Sequence, residues 1–308
     1  MKRIILLMVL ILASCTDQGC SSKKNIRKDD EYAKVGNKIE QFPALDFSKL
    51  NNQEQQDKII ALFNDEICPC GCRKTFAQCL VMKNACKPGI MLGQWAIDQL
   101  SMGHPERYVI QGLNEEINAG FLATPRKVNL LGAHHRGNKK APITIVEFTD
   151  FECPACKTVF KPLSKLIDDE KDNVQLYFMH FPLKRHANAQ KAAVAAEAAG
   201  LQGKFWEMHD LLLSQNGSLN EDIIKTLAST IFNEEQMLQF EKDIQREDLA
   251  QKIIAQRDHA IKDLKLLATP AILFNGRPFH LSLKDDALKL RLAMELERAS
   301  INCEARGP

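Results

Sequence analysis

Ten cysteines stand in this chain of 308 residues, and their spacing sorts them into groups with different chemistry. Cys153 and Cys156 form a C-P-A-C pair directly after the apolar run Val146-Glu147-Phe148 and the short link Thr149-Asp150-Phe151-Glu152. Two thiols at this spacing, opening a helix, can cycle between dithiol and disulfide. Unpaired backbone N–H groups and the positive end of the helix dipole favour thiolate over thiol, so Cys153 is expected to have a lowered pKa and to act as the nucleophile. Cys156 lies three residues on, on the same helical face, within reach to close a disulfide and release a mixed-disulfide partner. A structural disulfide and half of a zinc site are the competing uses of such a pair. Zinc would need a second ligand pair, and downstream the sequence offers only Cys303.

The elements that must hold this pair are legible around it. Residues 143–148 are β-branched and aromatic enough for a buried strand, and Pro154 suits the first helical turn because its missing N–H costs nothing there. Residues 174–180 read as the next strand, parallel to the first by the right-handed crossover rule. Residues 127–131 are expected to form a first edge strand, and 132–142 a loop in which His134 and His135 are solvated. Residues 186–200 are rich in alanine, the best helix former, and 203–212 follow as a second helix in which Phe205, Trp206 and Met208 read as core. His180 and His209 show no catalytic pattern. Strands are expected at 271–274 and 277–280, about an Asn275-Gly276 turn. A closing helix is expected at 283–298, with Leu288, Leu290, Leu292 and Met294 on its apolar face.

Residues 141–157, together with Thr269-Pro270, resemble the thioredoxin superfamily and within it the DsbA-like branch of thiol-disulfide oxidoreductases. The likeness covers about 128–300. It implies an α/β thioredoxin fold with a helical insertion at about 185–265, between Cys156 and Pro270. It also implies that Glu147 is a buried acid beneath the site, assisting proton transfer at the resolving thiol. Thr269 and Pro270 would form the cis-proline loop, whose backbone pairs with an extended substrate. An exposed strand carboxylate and a trans, strand-opening proline are the plainer alternatives for Glu147 and Pro270. Ala155 replaces the histidine of strongly oxidising C-P-H-C enzymes, which implies a milder oxidant.

Residues 34–123 read as a small, mostly helical cysteine-rich domain, with Ile59, Ile60, Leu62 and Phe63 at helical spacing and further helices at 75–82, 90–102 and 106–118. Ala123-Thr124-Pro125 marks the boundary with a domain at 124–308. Cys68, Cys70, Cys72, Cys79 and Cys86 admit three readings. The first is structural disulfides, which suit a small exported domain. The cysteines also fit a zinc knuckle similar to the SEC-C motif, from which the chain departs at Leu80. The third reading is a second redox centre exchanging with Cys153, with spacing that resembles the CcmH cytochrome-maturation fold. Setting aside Cys15, Cys153 and Cys156 leaves seven cysteines, Cys20 and Cys303 among them, so at least one does not pair within the chain.

Lys2-Arg3, an apolar run at 4–12 and small residues after it read as a secretory signal over 1–14, too short to span a membrane. Leu12-Ala13-Ser14-Cys15 resembles the bacterial lipobox, which implies cleavage before Cys15, lipidation of its thiol and a body tethered by the polar stretch 15–33 and facing the periplasm or cell exterior. A net charge of +2 and the lack of a basic stripe with interleaved aromatics argue against a nucleic-acid partner, while 45% hydrophobic and 26% charged residues are ordinary for globular domains. No flavin or nicotinamide fingerprint is present, so no cofactor is expected. The expected partners are cysteine-containing extracytoplasmic proteins and a membrane redox protein that recycles the pair. Two rivals stay open: a non-catalytic metal-handling lipoprotein built on Cys68 to Cys86, and a client-specific redox maturation factor for a cytochrome or copper site.

Overall fold

In a computed structural model, residues 36–69, 74–83, 85–130, 132–281 and 285–300 are described, and they belong to one compact unit. The signal and tether residues 1–33, with Cys15 and Cys20, lie outside the described residues, as do Cys70, Cys72 and Cys303. A five-stranded sheet with the order β1-β3-β2-β4-β5 forms the centre. The strands are β1 (His134–Gly137), β2 (Ile143–Thr149), β3 (Val174–His180), β4 (Ala271–Phe274) and β5 (Arg277–Pro278). β2 and β3 are parallel, joined through α5 (Pro154–Asp169), whereas β1 pairs antiparallel with β3, and β4 antiparallel with β2 and β5.

The alternation of β2 divides its side chains between two cores. Ile143 and Ile145 meet Val159, Leu163, Leu166 and Ile167 of α5, and Leu288 and Leu292 of α11 (Asp285–Ser300). Val146 and Phe148 face the other way, toward Met179, Phe181, Leu264 and Leu273. Between β3 and β4 the chain forms α6 (Ala189–Leu201), α7 (Phe205–Ser214), α8 (Glu221–Ser229), α9 (Glu234–Asp243) and α10 (Glu247–Asp258), then a π-helical turn at His259–Asp263. α6 is alanine-rich and mostly buried, so its slim flank lets α7 and α10 approach closely. Asn220 and Asn233 cap α8 and α9, accepting the N–H groups of Ile223 and Gln236.

Ahead of the sheet come α1 (Gln53–Asp65), α2 (Phe76–Leu80), α3 (Lys87–Ser101) and α4 (Glu106–Asn114), the last continuing as a π-helical stretch over Glu115–Phe121. Asn52 caps α1, and Thr75 with Gln78 forms a capping box on α2. Phe63, Trp95, Leu113 and Ile117 from these helices share one hydrophobic core with Ile145, Leu163 and Leu288, so the core runs across Ala123-Thr124-Pro125 without a break. An ion cluster spans the same join. Arg291 of α11 meets Glu116, and its guanidinium also lies 3.0 Å from Glu295, with all three side chains fully buried. Glu116 Oε2 in turn accepts the His280 N–H at 2.9 Å.

Several local expectations are corrected. The antiparallel edge strand is His134–Gly137, whereas residues 127–130 join no ladder. Val128 and Leu130 lean instead on the Val146 and Phe148 core, covering a sheet face where a strand would have extended the edge. His134 and His135 therefore sit in a strand, half-buried: His134 stacks on Phe205 with ring centroids 3.4 Å apart, and His135 meets Tyr177. α3 begins three residues before the expected 90, because Cys86 caps it and Pro88 occupies its first turn. The buried face of α11 holds Arg291 and Glu295 beside its leucines.

Candidate redox site

Cys153 is the N-cap of α5, held in extended geometry, and Pro154 takes the first helical position. Sequence and fold agree here for a local reason: proline cannot continue a ladder but pre-sets the helical φ. The turn leading in is built by Asp150, which is 1% exposed. Its Oδ1 accepts the Glu152 N–H at 2.8 Å, its Oδ2 accepts the Leu183 N–H at 2.7 Å and meets His186 Nδ1 at 2.8 Å, and its carbonyl accepts the Cys153 N–H at 3.0 Å. Glu152 accepts the N–H groups of Asn188 at 2.7 Å and Leu219 at 3.1 Å. Burial by itself would raise the Glu152 pKa, but these backbone bonds outweigh it and hold the carboxyl below its usual range. The approach to Cys153 is thus fastened to the segment after β3 and to the helical insertion.

Cys153 is 3% exposed and Cys156 fully buried. The Cys153 thiol lies 3.4 Å from the Thr269 carbonyl oxygen, and the Thr269–Pro270 bond is cis. The Cys153 pKa is lowered to about 5, chiefly by a hydrogen bond from the Cys156 thiol, with Thr269 and the N–H groups of Cys156 and Ala155 adding to it against the opposing effect of burial. Burial pushes the Cys156 thiol the other way, strongly up, and the neighbouring Cys153 adds to the shift. Two thiols one turn apart are therefore driven in opposite directions.

Glu147, on the β2 face shared with Ile143 and Ile145, is 2% exposed and accepts the Thr149 hydroxyl at 2.6 Å. Burial raises its pKa, with His209 and the Thr149 bond only partly offsetting. The wall around the pair is aromatic. Phe151, Phe160, Phe178 and Phe205 cluster with Cys153, Cys156 and the alanines of α6. The site thus lies against the helical insertion. Behind it, Glu197 of α6 joins His180 at 2.9 Å, His134 at 3.1 Å and Lys252 at 2.7 Å.

The structure brings Cys153, Cys156 and Thr269 together and buries Glu147 beneath the α5 layer. It gathers Cys68, Cys79 and Cys86 into a separate cluster. Asp150, Glu152, His186 and Asn188 escaped the reading of the sequence, although the Asp-x-Glu ahead of Cys153 has the form of a side chain bonding its own backbone two residues on.

A family model described as thioredoxin matches residues 130–292. The Na(+)/H(+) antiporter NhaA 1 of Salinispora arenicola is 40% identical over 160 residues, which cover 50% of this chain and 23% of the antiporter, so the chain spans under a quarter of that relative's length. The "Probable disulfide bond formation protein D" of Bacillus cereus is 31% identical over 173 residues, covering 53% of this chain and 78% of that protein. The crystal structure of oxidised BdbD from Bacillus subtilis superposes with a TM-score of 0.49 at 24% identity, over 57% of this chain and 98% of that one. On the match to residues 130–292 and the likeness to disulfide bond formation protein D, this chain belongs to the thioredoxin family, among its DsbA-like members.

Proposed function

We propose that this protein is an exported, lipid-anchored thiol-disulfide oxidoreductase that donates disulfides to cysteine-containing extracytoplasmic proteins through Cys153 and Cys156. The observation that carries this reading is the opposed pair of thiols, Cys153 lowered to about 5 and Cys156 raised. A thiolate that stable is a good leaving group, and its stability favours the reduced form, which makes the disulfide oxidising. In the forward cycle a substrate thiolate attacks the Cys153 sulfur of the Cys153–Cys156 disulfide, forming a mixed disulfide and releasing Cys156, which takes up a proton. A second substrate thiolate then attacks its partner sulfur, the substrate disulfide forms, and Cys153 departs as thiolate. Two electrons pass from substrate to enzyme, and a membrane redox partner removes them. Glu147, whose raised pKa brings it nearer neutrality, suits the transfer of the Cys156 proton. Thr269 and Pro270 present backbone beside the reacting sulfur, where an extended substrate segment would lie.

Export and anchoring rest on the signal-like residues 1–14 and the lipobox-like Leu12-Ala13-Ser14-Cys15. Among the described residues no helix is long and apolar enough to cross a membrane. The deciding experiment is a glutathione titration of the Cys153–Cys156 pair, with trapping on a Cys156→Ser variant. A potential above thioredoxin's, between the ends of the ~−270 to −120 mV span, with many clients trapped as mixed disulfides, is expected. A thioredoxin-like potential would overturn the donor direction, and a pair that does not cycle would overturn the activity.

A further inference from the structure

Three cysteines of the amino-terminal helices take no part in that cycle. Cys68 follows a short bridge between Ile67 and Thr75, Cys79 lies in α2, and Cys86 is the N-cap of α3. They are 0%, 3% and 9% exposed, and their sulfur atoms all lie within 4.8 Å of one another, Cys68 and Cys86 at 3.3 Å. Cys86 Sγ accepts the Gly89 N–H at 3.2 Å, in the first turn of a fifteen-residue helix. A Cβ at Gly89 would stand 2.9 Å from Cys86 Sγ and 3.2 Å from Cys68 Sγ, so the helix end reaches both sulfurs only because residue 89 has no side chain.

We propose that Cys68, Cys79 and Cys86 bind one thiophilic closed-shell metal ion, Zn2+ or Cu+, as thiolates, and that this ion ties α2 and α3 to the segment after α1. Zinc bonds sulfur at about 2.3 Å, which makes the sulfur–sulfur edge of its tetrahedron about 3.8 Å, longer than the 3.3 Å between Cys68 and Cys86 and inside the 4.8 Å within which all three sulfurs lie. A disulfide would join two of these sulfurs at about 2.05 Å and leave the third buried against the bond. Three sulfurs converging on one point instead supply a soft ligand set. The Gly89 N–H and the positive end of α3 stabilise the charge that the thiolates acquire as their protons leave for solvent on binding. The three cysteines come from successive segments of the chain, so the bound ion closes the loop between Cys68 and Cys86 and fixes α2 and the start of α3 to the segment after α1.

The test uses the full chain in detergent, purified under reducing conditions with zinc supplied, and metal content measured by mass spectrometry. One zinc or copper ion per chain is expected, retained when Cys153 and Cys156 are both serine and lost in Cys68→Ser and in Cys86→Ser; which metal is found identifies the ion. Should the single variants fail to fold, the wild-type ion is removed by chelation and replaced with Co2+, and sulfur-to-cobalt charge-transfer absorption is expected. The proposal is overturned by protein carrying no ion, by a disulfide among these three cysteines in thiol-trapped native protein, by an ion that survives Cys68→Ser and Cys86→Ser, or by cobalt bound without sulfur bands.

Discussion

The Cys153 thiol stands 3.4 Å from the carbonyl oxygen of Thr269, 116 residues further along the chain. That contact joins the start of α5 to the loop before β4, and it exists because β2 and β4 are neighbours, with Phe148 opposite Ala271 in the register. The Cys153 sulfur is thus held between a helix end, which favours its charge, and the backbone of the Thr269–Pro270 loop. Its acidity follows from those surroundings.

Alkylation of reduced protein followed against pH should show Cys153 titrating near 5. The largest contribution comes from the Cys156 thiol, so Cys156→Ala should move the midpoint up toward the ordinary cysteine value of ~8.5. A midpoint that stays where it was would show that Thr269 and the helix N–H groups carry the acidity alone.

Acidity of this kind also ties stability to pH. The folded-state pKa of Cys153 lies below its unfolded value, so the thiolate contributes stability to the reduced form above the unfolded value of ~8.5, and that contribution is lost as pH falls through about 5. The oxidised form has no such group. Urea midpoints of the two forms should therefore converge as pH is lowered from ~8.5 to about 5 in the reduced form's disfavour, and a gap independent of pH would refute the linkage.

The strand before the cysteine pair and the helix that Cys153 caps were readable because local chemistry dictates them: Pro154 sets the helix start and the apolar run Val146-Glu147-Phe148 belongs to a buried strand. The edge strand was not readable. His134-His135-Arg136-Gly137 has no alternating apolar pattern, and its place is fixed by the open edge of β3 and by the stacking of His134 on Phe205, both tertiary facts. Asp150 is a similar case. One carboxylate oxygen takes the local Glu152 N–H, but the other is engaged by groups more than thirty residues away, Leu183 and His186, which no window of sequence around the cysteines contains.

The polar cluster behind the site should make the protein acid-sensitive. Burial alone would raise the Glu197 pKa, but His134, His180 and Lys252 outweigh it and hold the carboxylate well below the usual range, while burial lowers His180. Both groups bind more protons unfolded than folded, so both contributions are present above their unfolded values of ~6.5 and ~4.3 and are lost as pH falls below them. Glu197→Gln should flatten the fall in stability below ~4.3 while leaving the His180-linked fall below ~6.5 in place, and should lower stability at neutral pH by about 3–5 kcal/mol through the loss of a buried charge partner. Denaturant unfolding at several pH values checks both. An unchanged acid slope would place the sensitivity elsewhere.

The join between the amino-terminal helices and α11 rests on Arg291, whose guanidinium meets Glu116 and Glu295, donates to the Pro278 carbonyl at 3.1 Å and lies over the Phe274 ring at 5.5 Å. Removing it leaves buried Glu116 with the His280 N–H alone and Glu295 with only the more distant Arg277 and Arg298, at 3.9 and 3.7 Å. Arg291→Ala should therefore cost about 3–5 kcal/mol. Glu116→Gln is gentler, because the amide can still accept from the His280 N–H and Arg291 keeps Glu295, so a loss of about 1–3 kcal/mol is expected. If the two changes are made together, the combined loss should fall short of the sum, since each disrupts the same cluster. Urea unfolding of the two single variants and the double variant gives that difference directly. Strict additivity would mean that the charges act independently, and that the continuous core alone, from Phe63 and Trp95 through to Leu163 and Leu288, holds the helices to the sheet.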